Sequence, residues 1–369
     1  MVWLHCCGHP RCAAEGAARS AGASSASNRR RPFTVDLHCH VLTPQVENLV
    51  ADRPEKKTEH ELMLRSMGAD SVAHNQAVML PQAGPKLTRL EQRLADMDAM
   101  GVDLQVMSPS PNQYYYWADR ALAVEIVREQ NEHIAQLCKR YPKRLAGLGT
   151  VALQLPDLAC EQLTYAVRTL GLKGIEISTS VNGRELSDPA LRPLWQEAEA
   201  LGALVFIHPF GTSLGDRTAT HYLSNTIGQP LETTLALSHL IFHGVLDAFP
   251  KLKIVAAHGG GYLPSYVGRS DHAHSVRPEA AAQTAILPSA HLRRIWFDTL
   301  VYDATALRYL IDRVGVSQVI VGTDYPFDMG HYDIHGLLGS VPDLSDSERE
   351  AILGGNAAQL IDWNVALAG

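Results

Sequence analysis

From Phe33 onward, short continuous apolar runs alternate with longer stretches whose apolar residues recur at helical spacing. The short runs are rich in Val, Ile and Phe. They read as buried parallel strands, because a strand covered on both faces shows no polar alternation. They predict strands over Phe33–Leu37, Leu104–Met107, Leu145–Thr150, Gly174–Ser178, Leu204–Ile207, Ile254–Ala257, Ile295–Asp298 and Val319–Val321. The longer stretches predict helices over Lys86–Met100, Asp119–Arg140, Leu158–Leu170, Pro189–Leu201, Pro230–Phe249, Ala304–Val314 and Ser347–Ile361. Gly101, Gly171, Gly202 and Gly315 stand just past four of these helices, where a left-handed residue closes the last turn.

Eight strands, each followed by helix, is the count of an α/β (β/α)8 TIM barrel. A doubly wound open sheet would carry a glycine-rich phosphate turn after an early strand, and none follows Phe33–Leu37. The expectation is a single barrel domain over 33–369. Two stretches interrupt the rhythm. Residues 41–85 read as an inserted loop region after the first strand, of the length typical of a lid. Ser270–Leu292 reads as a second insertion.

Composition narrows the field. In 369 residues, 46 % are apolar and 19 % charged, which excludes wholesale disorder and collagen-like repeats. A net charge of −7 without a basic tract argues against nucleic acid as partner. The lack of a long apolar run argues against a membrane span. Of the six cysteines, Cys6, Cys7 and Cys12 crowd the start, while Cys39, Cys138 and Cys160 are scattered. Isolated cysteines suggest a reducing compartment, the cytoplasm. Residues 1–32 read as a disordered leader or a misassigned start. Their Arg and Ser, with Glu15 the one acid, also fit a transit peptide.

The chain has 17 histidines, which puts metal or acid–base chemistry first. In Val35-Asp36-Leu37-His38-Cys39-His40, an apolar strand runs into His-x-His. Residues two apart on a strand share a face, so two neutral imidazoles can chelate one ion. Other strand ends supply His208 in Ile207-His208-Pro209, His258 in His258-Gly259-Gly260-Gly261, and Asp324 in Gly322-Thr323-Asp324. In a barrel these ends share one rim, so His38, His40, His208, His258 and Asp324 should converge. Weaker signals are Glu176 and Asp298, placed to support a ligand histidine, and Tyr114–Trp117, read as either an aromatic wall or a packing cluster. His239 and His243 share a helical face but have no third ligand in view. Cys39 points away from the histidines, and Ser108–Pro111 reads as a turn.

Together, His-x-His, His-Pro-Phe, His-Gly-Gly-Gly and Gly-Thr-Asp-Tyr-Pro-Phe resemble the amidohydrolase superfamily. The likeness is to its branch of metal-dependent decarboxylases, typified by aminocarboxymuconate semialdehyde decarboxylase, and runs from about Val35 to Ile361. Arg144–Thr150, Phe249–Lys253, Val267–Arg269 and Leu300–Asp303 carry it further.

The resemblance implies that His38, His40, His208 and Asp324 hold one divalent ion, zinc first and manganese second. It makes His258, together with Asp324, catalytic, His258 being the acid–base that activates metal-bound water. It assigns Arg269 to a substrate carboxylate, reached across a homodimer. Phe210 stands at a substrate position where that decarboxylase has tryptophan. The branch also uses an arginine in the loop after the first strand, and none occurs between Arg65 and Arg89. The implied activity is decarboxylation of a small unsaturated or aromatic carboxylate. A lactone or amide hydrolase, a hydratase of an unsaturated diacid, and a non-catalytic metal barrel are the alternatives.

Overall fold

The computed structural model describes residues 31–364. The leader expected over 1–32 therefore lies outside the described residues, apart from Arg31 and Pro32. Eight parallel strands organise the rest: β1 (Val35–Val41), β2 (Leu104–Pro109), β3 (Leu145–Gly147), β4 (Gly174–Ile177), β5 (Leu204–Ile207), β6 (Lys253–Ala256), β7 (Ile295–Asp298) and β8 (Val319–Ile320). β1 to β3 pair in order as one sheet and β4 to β8 as another. Backbone hydrogen bonds join the sheets at both seams. Glu176 N–H donates to the Gly149 carbonyl at 2.8 Å on one side. Leu37 N–H donates to Val321 at 3.0 Å and His40 N–H to Tyr325 at 2.8 Å on the other. The strands follow one another around a ring in chain order, as in the expected TIM barrel.

Side chains alternate across the barrel wall. Leu37, Leu104, Val106, Leu148, Phe206 and Val255 pack together inside. Met107, Ile175, Val205, Ile207, Ile254 and Phe297 face outward into the layer formed with the helices. Each such side chain stabilises the fold by roughly 1.5–3 kcal/mol on burial. Polar caps start some of the helices: Asp119 accepts from Leu122 N–H at 2.9 Å before Arg120–Arg140, and Asp303 from Ala306 N–H at 2.8 Å before Ala304–Val314.

Some boundaries differ from the expected ones. The helix expected over Lys86–Met100 is two, Leu80–Thr88 and Leu90–Met100, broken where Arg89 is extended. The one expected over Pro230–Phe249 divides at Gly244, whose φ of 64° ends Gln229–Phe242 before Val245–Ala248 begins. The larger correction concerns residues 41–85. They form no loop but a run of helices: Pro44–Val50, Pro54–Met67, Ala69–His74 and the start of Leu80–Thr88, with a π turn at Asn75–Met79. Pro54–Met67 buries only Ser66, so it has no apolar stripe from which a helix could be read. Ser270–Leu292 is also largely helical, continuing Leu263–Val276. Among the described residues no helix is long and apolar enough to cross a membrane.

Candidate metal centre

The histidine pair depends on a fault in β1. Asp36 pairs with Gln105, but Cys39 pairs with Met107, so Leu37 and His38 together oppose Val106. This β-bulge flips the alternation. Before it, Val35 and Leu37 face the barrel interior, and after it Cys39 and Val41 face outward. His38 and His40 are thereby turned inward, and both are fully buried.

His208 follows β5, and Asp324 follows β8 in the left-handed region at φ 58°. The Asp324 N–H donates to the His38 carbonyl at 2.8 Å, which ties the turn to β1. His38 Nε2 and His40 Nε2 approach Asp324 Oδ1 at 3.4 and 3.3 Å. The His208 ring centroid lies 4.9 Å from that of His38 and 4.8 Å from that of His40. One donor atom from each of the four residues lies within 4.8 Å of the other three. Neither His208 nitrogen has a hydrogen-bond partner. Buried polar atoms are rarely left this way, and a cation between them would take one nitrogen of each imidazole and an oxygen of Asp324.

Electrostatics point the same way. Burial alone would lower the His38 imidazole, but Asp324 and Asp298 overcome it and push it up to about 10. Burial, with charge on His40 and His38, holds His208 well below the usual imidazole range. Asp324 stays well below the usual carboxylate range: burial works against this, and His38 and His40 outweigh it. The cluster accommodates positive charge at its centre, where a divalent ion would take the place of the proton. Three imidazoles and a carboxylate suit zinc or manganese.

The outer nitrogens of the histidines are held from behind. Asp298 Oδ2 lies 2.7 Å from His38 Nδ1, and the Pro109 carbonyl lies 3.2 Å from His40 Nδ1. Glu176 Oε2 is 3.5 Å from the same His40 nitrogen, and Tyr114 Oη donates to Glu176 Oε1 at 2.7 Å. Such contacts fix tautomer and ring orientation, leaving Nε2 free to face inward. Arg93 was not foreseen. Buried on Leu90–Met100, it donates to Gln105 Oε1 at 2.9 Å and to the His40 carbonyl. Gln105 and Thr323 both donate to Asp36, so one polar network braces β1 against β2 and β8.

His258 stands beside the four. Its Nε2 is 4.0 Å from Asp324 Oδ2, and its Nδ1 has no hydrogen-bond partner. Burial and charge on His38 bring it down to about 4. Residues 258 to 261 have φ of 55°, 59°, 77° and 64°, which accounts for the glycine run. At Gly261 a Cβ would meet the Pro230 carbonyl oxygen at 2.0 Å. Asp298 holds this turn by accepting from His258 N–H at 2.9 Å and Gly259 N–H at 2.7 Å.

A cavity of about 300 Å³ opens over the cluster and reaches His208 and Asp324. The helices of the 41–85 insertion roof it with Met63, Met67 and Met79, and Phe210 and Phe327 form walls. Arg269 lies elsewhere, exposed on Leu263–Val276. Tyr114–Trp117 does not line the cavity. It packs behind it, Tyr114 and Tyr116 stacking at 5.4 Å and Tyr115 donating to Glu47 at 2.7 Å. Ser108 and Pro109 belong to β2, and Ser110 and Pro111, both buried, line the cavity. Asp328, four residues past Asp324, also lines the cavity. It was missed because no periodicity marks a loop residue.

A family model described as amidohydrolase matches residues 35–363. The 2-amino-3-carboxymuconate-6-semialdehyde decarboxylase of Dictyostelium discoideum is 38 % identical over 270 residues, covering 73 % of this chain and 75 % of that one. The gamma-resorcylate decarboxylase of Rhizobium radiobacter is 28 % identical over 258 residues, 64 % of this chain and 77 % of the relative. The crystal structure of 5-carboxyvanillate decarboxylase from Sphingomonas paucimobilis superimposes with a TM-score of 0.79 at 27 % identity, covering 90 % of this chain and 100 % of that one.

Proposed function

Because the chain belongs to the amidohydrolase family, we propose that it is a metal-dependent carboxy-lyase that removes CO2 from a small unsaturated or aromatic carboxylate. The convergence of His38, His40, His208 and Asp324 beneath a cavity that reaches His208 and Asp324 carries the reading. These four would hold one divalent ion, zinc or manganese. When bound, such an ion supplies a Lewis acid that neutralises and orients the substrate's oxygen atoms.

The chain's own groups do the rest. His258, held uncharged by burial, can take up a proton at Nε2 and pass it to the carbon that loses its carboxylate. The C–C bond breaks, its electron pair stays on that carbon, CO2 leaves, and the proton takes its place. The methionine roof and Phe210 exclude water and cover the substrate's apolar face.

Among the described residues, no arginine or lysine of this chain lines the cavity. That supports a homodimer in which Arg269 of a second copy meets the departing carboxylate, since guanidinium binds carboxylate in bidentate fashion. The unpaired Cys39, Cys138 and Cys160 support a reducing compartment, the cytoplasm. The test is CO2 release from a panel of aromatic and unsaturated carboxylates, with protein stripped of metal and then reloaded with zinc or manganese. Metal-dependent CO2 release is expected. Turnover of lactones or amides without CO2 from any acid would overturn the reading.

A further inference from the structure

Arg93 is a buried cation on Leu90–Met100, only 2 % exposed, and it does not line the cavity. Its hydrogen bonds go to neutral groups, the His40 carbonyl and Gln105 Oε1. Its guanidinium carbon stands 4.8 Å from the centre of the Tyr325 ring. A buried cation with neutral partners costs more than a leucine or methionine filling the same space. Volume therefore does not account for an arginine here. The groups it grips do.

Those groups frame the metal cluster. His40 gives its carbonyl to Arg93 and its ring to the cluster. Tyr325 is the residue after Asp324. Arg93 covers its ring, and Asp96, about one turn further along the same helix, accepts from its hydroxyl at 2.8 Å. Gln105 passes the connection on. Its Nε2 donates to Asp36 Oδ2 at 3.0 Å, and the same oxygen accepts from Thr323 Oγ1 at 2.7 Å. Thr323 is the residue before Asp324. Both neighbours of Asp324 and the backbone of His40 thus lead back to one guanidinium. Asp324 itself is left-handed at φ 58°, a conformation that costs energy outside glycine and persists where the surroundings over-determine it.

We propose that Arg93 is a positioning residue of the metal centre: gripping His40 and both flanks of Asp324, it sets the separation of these two donors. The proposal rests on the reading of His38, His40, His208 and Asp324 as a metal site. Arg93 acts only through the residues it holds.

The test uses two variants of the full chain. Arg93→Met fills the space without a donor. Arg93→Lys keeps the charge but lacks the planar fork that bonds two groups while lying over a ring. Each variant, freed of metal, is titrated with zinc. Its cobalt(II) form is followed by visible absorption, whose bands report ligand geometry. Thermal melts show which variants fold. Zinc affinity should fall about 10- to 100-fold in Arg93→Met, the usual cost of losing support behind a ligand. It should fall less in Arg93→Lys, and the cobalt bands should shift in both. Should Arg93→Met not fold, Arg93→Lys decides on the same two readouts.

A role confined to stability would lower the melting temperature and leave the folded variants with unchanged zinc affinity and cobalt bands. That result overturns the proposal. An unaltered protein that binds neither ion overturns the metal-site reading, and the proposal with it. The unaltered protein therefore tells the two failures apart.

Discussion

Asp298 Oδ2 lies 2.7 Å from His38 Nδ1 and accepts the His258 backbone N–H at 2.9 Å. One buried carboxylate thus aligns a proposed ligand histidine on β1 and the turn that carries the proposed proton carrier. The Asp298 carboxyl sits below its ordinary range even though burial pushes it up, because the His38 hydrogen bond and charge prevail.

Asp298→Asn keeps the volume but halves the accepting capacity and removes the charge. Metal affinity should fall by about 10- to 100-fold, the usual cost of losing a carboxylate behind a ligand histidine. Titration of the metal-free protein with zinc or manganese measures this. Affinity equal to that of the unaltered protein would show that Asp298 serves only the 258–261 turn.

His208 has no hydrogen bond to either ring nitrogen, as suits the proposed ligand role. His208→Ala should lose most bound metal and activity together, as read by elemental analysis beside a turnover assay. Full metal occupancy with unchanged activity in that variant would remove His208 from the ligand set.

His258 separates from the ligands in a different way. Its φ of 55° favours asparagine over alanine as the replacement, since asparagine tolerates the left-handed region. His258→Asn should retain the metal and lose turnover by roughly 10²–10⁴-fold, the range for acid–base catalysis. Loss of metal instead would make His258 a ligand.

Much of this site was legible because buried parallel strands are continuous apolar runs and barrel chemistry collects at their ends. Leu204–Ile207 and Ile295–Asp298 match expectation to the residue, and His208 and Asp298 follow from them. The bulge in β1 was not legible. Regular alternation would put His38 on the face opposite Leu37, and only the two-against-one pairing with Val106 brings both to the interior. The insertion helices were hidden because their polar faces stay exposed. Asp328 comes from the stretch after β8 and the cavity carboxamides from separate elements, Gln229 from the start of a helix, which no spacing links.

Within the insertion, Glu59 gives a test of stability. Partial burial lifts its carboxyl from 4.5 to about 7, against the pull of Lys56. The folded value lies above the unfolded one, so the folded chain binds more protons between them. Its contribution to stability is therefore full below about pH 4.5 and is lost as pH rises through about 7. Glu59→Gln should raise Tm at pH 8 by a few degrees and leave it nearly unchanged at pH 4.5. Thermal melts across that range decide it, and a variant less stable at pH 8 would mean that the charged form is the one stabilised.

Arg269 lies exposed on Leu263–Val276, outside its own cavity, and the neighbouring Tyr266 is 71 % exposed. If the arginine acts across an interface, Arg269→Ala and His258→Asn chains should each be inactive alone and regain activity when mixed. In a hybrid dimer the chain with intact His258 receives Arg269 from its partner, so one of the two sites is whole and the other lacks both residues. Random exchange of equal amounts makes half the dimers hybrid, which predicts about a quarter of the unaltered activity. An arginine acting within its own chain leaves no hybrid site whole, and activity stays absent. Subunit exchange must be shown in parallel, by mixing chains that carry donor and acceptor fluorophores and following energy transfer. Exchange without recovery rejects the shared site and leaves the metal chemistry of His38, His40, His208 and Asp324 untouched.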